Sequence, residues 1–131
     1  MTQPIILFLS LDHARAAVTA AAELNIPITL QSAPGAAAHA GVGFLKAVVD
    51  EAGTSEAIID CGADIGTAMA ALRAGWTRLV FSGDEVMAAK LADMAFQVDA
   101  TVTTGDPSAA TLDLLDVADP LDACRDFLSR A

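Results

Sequence analysis

The side chains best suited to acid–base or nucleophilic chemistry are few in this chain. Its 131 residues include two histidines, His13 and His39, and two cysteines, Cys61 and Cys124. Imidazole changes charge near neutral pH without a large pKa shift, so both histidines are candidate acid–base catalysts. Cys61 is a candidate nucleophile because it ends a predicted strand and stands just before a helix, where a thiol pKa can fall.

Further polar and glycine residues lie at the ends of the segments that we predict to be strands or shortly after them. The ligand-binding candidates among them are Ser10, Asp12, Ser32, Gly35, Ser82 and Gly83. In a parallel α/β sheet, the carboxyl ends of the strands meet at one edge, and helix N-termini and loop amides point there. The sequence therefore predicts one site at this edge, where the two histidines, Asp60 and Cys61 are the catalytic candidates.

The segment SAPG, residues 32–35, predicts a rigid corner after the second strand. Pro34 fixes φ and Gly35 permits a left-handed turn, so the loop amides and Ser32 could hold a phosphate or a carboxylate. A tight packing corner without a ligand is the alternative. Neither GxGxxG nor GKS/T occurs, so no standard nucleotide-binding motif is present and the sequence indicates no particular cofactor.

The spacing of the potential metal ligands does not form a metal motif. No pair among His13, His39 and Cys61 has the i, i+3 or i, i+4 spacing of strong metal sites, so we predict none. The two cysteines are far apart and include no CxxC, which argues against a disulfide framework and favours a reducing compartment.

Composition limits the class of protein and its partners. Hydrophobic residues make up 54% of the chain and charged residues 18%, which predicts one folded domain over residues 1–131. The net charge of −10 repels nucleic acid and anionic lipid, so we expect neither as a partner. The apolar segment PIILFLSL is too short to span a bilayer and lacks a signal-peptide pattern, so we expect a cytoplasmic protein.

Apolar runs alternate with helical patterns along the whole chain. Five strands are predicted at 4–10, 26–31, 56–62, 77–83 and 96–102, with helices between them and one or two closing helices after residue 106. This pattern predicts a parallel five-stranded sheet in a three-layer α/β/α sandwich with order 2-1-3-4-5. A half-barrel of consecutive βα units is the alternative, because AMAALRAGWTRLVFSG is similar to the unit that (βα) barrels repeat.

The layout also resembles the receiver domains of bacterial two-component signalling. The similarity lies in Asp12 near the end of strand one, Asp60 after strand three, Ser82 after strand four and Asp106-Pro107 in place of a Lys-Pro pair. The acidic pair of that family is reduced to one residue here, and its lysine is missing. The resemblance therefore implies a degenerate, non-catalytic binding module.

Two functions remain as alternatives. The first is a protein that binds a small anionic molecule at the carboxyl ends of its strands and that could also catalyse a reaction on it. The second is a non-catalytic interaction module, receiver-like or half-barrel in type, that acts through self-association. We expect a homo-oligomer in either case, because the chain is very apolar for its length.

Overall fold

The structure is a computed structural model that describes residues 3–54, 56–105 and 108–131. In these ranges one or two helices follow each of the first four strands, the last two strands are consecutive elements, and every pair of neighbouring strands is parallel. The strands are β1 (Ile5–Phe8), β2 (Thr29–Ser32), β3 (Ala57–Asp60), β4 (Arg78–Val80), β5 (Thr101–Thr103) and β6 (Thr111–Asp113). The helices are α1 (Leu11–Leu24), α2 (Ala36–Ala40), α3 (Val42–Ala52), α4 (Ile65–Arg73), α5 (Glu85–Gln97) and α6 (Pro120–Ser129).

Four of the helices begin at a side chain that accepts a hydrogen bond from a backbone amide of the first turn. The capping residues are Ser10 for α1, Asp64 for α4, Asp84 for α5 and Asp119 for α6. These caps satisfy amides that have no partner within the helix. Because each cap closely follows a strand or turn, the caps fix where each strand-to-helix connection ends.

The strand order differs from the one predicted. The described sheet has six strands in the order β5-β4-β3-β2-β1-β6, so both the count of five and the order 2-1-3-4-5 are wrong. In the receiver-like order β1 would pair with β3, whereas here β1 lies between β2 and β6. From β1 to β5 the strands follow chain order, as in the half-barrel alternative.

The segment after residue 106 accounts for the additional strand. We predicted closing helices there, but Thr111–Asp113 pairs with Ile5–Leu7 of β1. A short run with only one apolar residue carries little periodic signal, and its pairing partner lies about a hundred residues earlier in the chain. The predicted strand at 96–102 was also displaced, because α5 continues to Gln97 and β5 begins at Thr101.

The two faces of the sheet differ sharply in burial. Side chains alternate between faces along each strand, and the register shows which of them share a face. One face carries large apolar side chains that are at most 1% exposed, namely Ile6, Phe8, Leu30, Ile59 and Leu79. The opposite face carries Leu7, Gln31, Ile58 and Asp60 at its centre, and each of these is partly exposed.

The helices form one continuous row whose order follows the strands. Contacts run from α6 to α1, then to α3, to α4 and to α5. The main apolar core contains the deeply buried face of the sheet together with residues of these helices, including Ala17, Leu45 and Leu128. Ile5 and Val80 on the other face are buried but lie outside that core. In the described residues, the helices therefore pack against one face of the sheet.

None of the helices in the described ranges has both the length and the apolar composition needed to cross a membrane.

Candidate functional site

The second face of the sheet contains a cavity of about 420 Å³. Its lining comprises Ile5, Leu7, Gln31, Asp60, Val80, Thr104, Gly105 and Thr111. These residues come from five strands and from the turn after β5, and none of them belongs to a described helix. Thr104 and Gly105 follow β5 at one edge of the described sheet, and Thr111 lies on β6 at the other edge, so the cavity extends across this face of the sheet.

Gln31 and Asp60 are the polar side chains at the centre of this cavity. Gln31 pairs in register with Ile58, and Asp60 follows two residues later on the same face. Diagonal neighbours of this kind have Cα atoms about 8 Å apart, so one small molecule can contact both side chains. The remaining wall is apolar at Ile5, Leu7 and Val80.

The hydrogen bonds of Asp60 leave one carboxylate oxygen available. Oδ1 accepts from the backbone N–H of Gly62 at 2.9 Å, which orients the carboxylate at the end of β3. Oδ2 has no hydrogen-bond partner among the described residues, and neither does the side-chain amide of Gln31. A partly exposed amide and a carboxylate oxygen are therefore both free to bind a ligand.

Ser32 has a structural role in this arrangement. Its side chain is fully buried on the helix-covered face, and its Oγ accepts a hydrogen bond from the backbone N–H of Asp60 at 2.8 Å. The bond joins the end of β2 to the end of β3 and so positions the Asp60 backbone. The hydroxyl therefore does not line the cavity, and the predicted direct contact with a ligand has no support from its position.

Cys61 has the environment of an unreactive thiol. It is 5% exposed, and burial, reinforced by the negative charges of Asp60 and Asp64, raises the pKa of the thiol to about 12. A thiol with this pKa is almost entirely protonated at neutral pH, and the neutral thiol is a poor nucleophile. The nucleophilic role stays a prediction that these surroundings disfavour.

His13 lies in a different cavity, between the start of α1 and the segment before α6. The cavity has a volume of about 420 Å³, and its lining includes Ser10, Asp12, His13, Asp119 and Pro120. His13 Nδ1 accepts a hydrogen bond from the backbone N–H of Leu9 at 3.1 Å. Burial lowers the pKa of His13, while the charges of Asp12 and Asp113 partly oppose that change.

His39 is an exposed residue of the short helix α2 and lines neither of these cavities. Its backbone N–H donates to the carbonyl of Gly35, whose φ of +81° is the left-handed conformation that the SAPG corner was expected to need. The structure thus separates the catalytic candidates, because only Asp60 lies in the cavity on the sheet.

The remaining candidates lie near the carboxyl end of β4. Ser82 is exposed, and its backbone N–H donates to the carbonyl of Gly62. Gly83 is required by packing, because a Cβ there would stand 2.3 Å from the ring of Phe81. Neither residue lines the cavity that contains Asp60.

Sequence reasoning did not select the residues that complete the cavity. Gln31, Thr104 and Thr111 were absent from the predicted ligand-binding set, although Gln31 ends the predicted strand at 26–31 and Thr104 closely follows the one at 96–102. Their position at the carboxyl ends of predicted strands was the available signal. Thr111 could not be found without the sixth strand. Among the described residues, no three or more His, Cys, Asp or Glu side chains are arranged to hold a metal ion.

Comparison with protein-family models and with curated protein sequences finds no match to this chain. Its function is therefore inferred from the geometry of the cavity.

Proposed function

We propose that this protein is a half-barrel of consecutive βα units that binds a small molecule in the cavity on the partly exposed face of its sheet. The observation that carries the proposal is the cavity of about 420 Å³ that joins an apolar wall to two available polar groups, those of Gln31 and Asp60. Small-molecule sites typically combine apolar walls with a few polar groups that fix orientation.

The position of the cavity also supports binding. Ligands of parallel α/β proteins gather near the carboxyl ends of the strands, and both Asp60 and Thr104 lie at such ends. The predicted catalysis has weaker support, because the histidines lie outside this cavity and Cys61 is buried in surroundings that raise its pKa. We therefore propose binding as the function and assign no reaction.

A thermal-shift screen with small amines, carboxylates, sugars and amides tests this proposal. A compound that binds the folded state raises the melting temperature of the wild-type protein. The variant Leu7→Trp fills the cavity and should lose the effect, whereas Leu24→Trp, on an exposed position of α1, should keep it. Thr104→Trp at the cavity edge replaces Leu7→Trp if that variant does not fold.

Two results would contradict the proposal. One is equal stabilisation of the wild type and both cavity variants, which would place binding elsewhere. The other is a screen in which no compound of any class stabilises the wild type.

Self-association is the second candidate function, and a separate observation favours it. Helix α5, at one end of the helix row, carries three exposed apolar side chains at and just beyond its C-terminal part: Met94, Phe96 and Val98. Phe96 is 81% exposed, which is unusual for a large aromatic side chain and is typical of a contact surface. The neighbouring β5 is an edge strand of the described sheet and leaves one side unpaired.

Sedimentation velocity over a range of protein concentrations tests the second candidate. We expect the wild type to associate and Phe96→Ser to remain monomeric, because the substitution removes the most exposed aromatic side chain. Phe44→Ser is the matched control, since Phe44 is an exposed phenylalanine on α3. A monomeric wild type, or equal association of all three proteins, would exclude this surface.

A further inference from the structure

The polar groups of the cavity accept hydrogen bonds more readily than they donate them. Asp60 offers a free carboxylate oxygen, and Gln31 offers an amide oxygen along with its NH₂ group. Thr104 and Thr111 add hydroxyl groups at the edge. Among the described residues of this lining, Asp60 is the only one with an acidic or basic side chain.

Acidic side chains also lie near the cavity. Asp113 lies on the same face of the sheet as Leu7, its register partner in β1, and Asp64 follows Asp60 closely in sequence. Both Asp60 and Asp64 lie at the carboxyl end of β3 or just beyond it, next to the carboxyl half of the cavity. An anionic ligand would meet this field with no lysine or arginine on the described cavity wall.

Arg78 is the cation nearest in sequence to the lining residues on this face, and it is already paired. It precedes Val80 by two residues in β4, and its Nη1 lies 3.2 Å from Glu56 Oε2. Glu56 precedes β3, so the pair is directed toward the amino ends of the strands and away from Asp60. The carboxyl half of the cavity keeps its negative charge.

The apolar part of the lining determines what else the ligand needs. Ile5 and Val80 are each 7% exposed, and Leu7 lies between the strands that hold Gln31 and Thr111. Such a surface is suited to a short hydrocarbon, while a carboxylate beside it favours a positive group that donates N–H bonds.

We propose that the cavity recognises a small aliphatic amine, whose ammonium group donates to Asp60 and Gln31 and whose hydrocarbon part lies against Ile5, Leu7 and Val80. This inference rests on the proposed small-molecule function and specifies its ligand class. It reverses the sign of the ligand charge that the sequence predicted.

Titrations followed by NMR can separate the ligand class from the binding function itself. The probes are n-butylamine and butyrate, which have similar hydrocarbon parts and opposite charges, added at equal ionic strength and neutral pH. We expect butylammonium to shift the signals of the Gln31 side-chain amide and of the Thr104 and Gly105 backbone amides. Butyrate should leave them unchanged.

Two substitutions test the role of Asp60. Asp60→Asn retains the shape but removes the charge, and it should weaken butylammonium binding about tenfold or more. Asp93→Asn makes the same change at an exposed position of α5 and should bind as the wild type does. If Asp60→Asn does not fold, Gln31→Leu provides a second variant that removes one acceptor from the cavity.

The other outcomes of these titrations would argue against the amine inference. Equal shifts with both probes, or stronger shifts with butyrate, would overturn the amine inference and leave the small-molecule function standing. Undiminished butylammonium binding in Asp60→Asn would also overturn it. An absence of shifts with either probe would count against the inference, while the thermal-shift screen would decide the proposed function separately.

Discussion

Ser32 and Asp60 stand at the ends of neighbouring strands and perform different tasks. The Ser32 side chain lies on the helix-covered face and binds the backbone of Asp60, whereas the Asp60 side chain lines the cavity. The buried hydroxyl therefore positions the backbone of Asp60 and does not line the cavity. A conservative substitution at Ser32 should therefore change the stability of the fold, and one at Asp60 should change ligand binding.

Ser32→Ala should destabilise the fold by about 1–3 kcal/mol, because it leaves the Asp60 N–H without its acceptor at a partly buried position. Ser82→Ala is the matched control, since the Ser82 side chain is exposed and has no hydrogen bond within the described residues. The free energy of unfolding of this variant should stay within about 0.5 kcal/mol of the wild type. Urea denaturation at neutral pH measures both. Equal stability of the two variants would contradict the structural role of Ser32.

His13 should make the fold less stable in mild acid. Burial lowers its pKa below 6.5 in the folded state, and protonation of Nδ1 removes the acceptor for the Leu9 N–H. The unfolded chain therefore binds more protons between the folded pKa and 6.5, so stability rises with pH across that window and levels off above it. His13→Asn keeps an acceptor without the titration.

Urea midpoints at about pH 5.5 and about pH 7.5 test this expectation. The wild type should lose more stability on acidification than His13→Asn does. If the two proteins respond equally to pH, His13 does not contribute to the acid sensitivity.

Gly83 should not tolerate a larger side chain. A Cβ at this position would meet the Phe81 ring at 2.3 Å and 2.8 Å, and Phe81 is itself buried in the core. We expect Gly83→Ala to cost about 1–3 kcal/mol of unfolding free energy. Gly43→Ala in α3 has open space around its Cβ and should be neutral or stabilising, because alanine favours helix. Denaturant unfolding should therefore give a lower free energy of unfolding for Gly83→Ala than for Gly43→Ala.

At the scale of elements, α6 is held to α1 by packing and by one paired interaction on the surface. Arg125 donates from Nε and Nη2 to the two carboxylate oxygens of Glu23, both at 2.8 Å. The hydrogen bond from Arg125 is the main cause of the lowered pKa of Glu23. Because both side chains are well exposed, this pair contributes a salt-sensitive stabilisation.

Glu23→Gln should lower the urea midpoint slightly at low salt, and the difference from the wild type should shrink as salt concentration rises. Asp93→Asn removes the same charge from a helix where no ion pair is found among the described residues. A midpoint difference for Glu23→Gln that is independent of salt would show that packing, and not the charge pair, is responsible.

Elements with strong periodicity could be predicted from the sequence, and elements defined by their partners could not. Strands β1, β3 and β4 fall within the predicted segments, β2 ends one residue beyond the one at 26–31, and helices α1, α3 and α4 lie between the strands as expected, because apolar runs and helical spacing are local signals. The order of those strands in the sheet depends on pairing between distant segments and has no local signal in the sequence. Strand β6 has a single apolar residue between Thr111 and Asp113 and becomes a strand only by pairing with β1.

At the scale of the molecule, strand order determines which residues can share a site. The predicted edge placed His13, His39, Cys61 and Asp60 together, as the order 2-1-3-4-5 allows. The consecutive order keeps Asp60 beside Gln31 and leaves His13 in a cavity next to the segment before α6. Residue types alone could not predict this separation.

The most direct test of the account is the accessibility of the two faces of β2. Gln31→Cys places a thiol on the face that lines the cavity, and Leu30→Cys places one on the helix-covered face, where Leu30 is fully buried. Native Cys61 and Cys124 are buried, and burial raises the pKa of both thiols, so they should contribute little background. Iodoacetamide labelling followed by mass spectrometry compares the two variants under native conditions.

We predict rapid labelling of Gln31→Cys in the folded protein and labelling of Leu30→Cys only after denaturation. Protection of Gln31→Cys in a protein that retains its native circular dichroism would mean that this face is covered, and the open cavity would be contradicted.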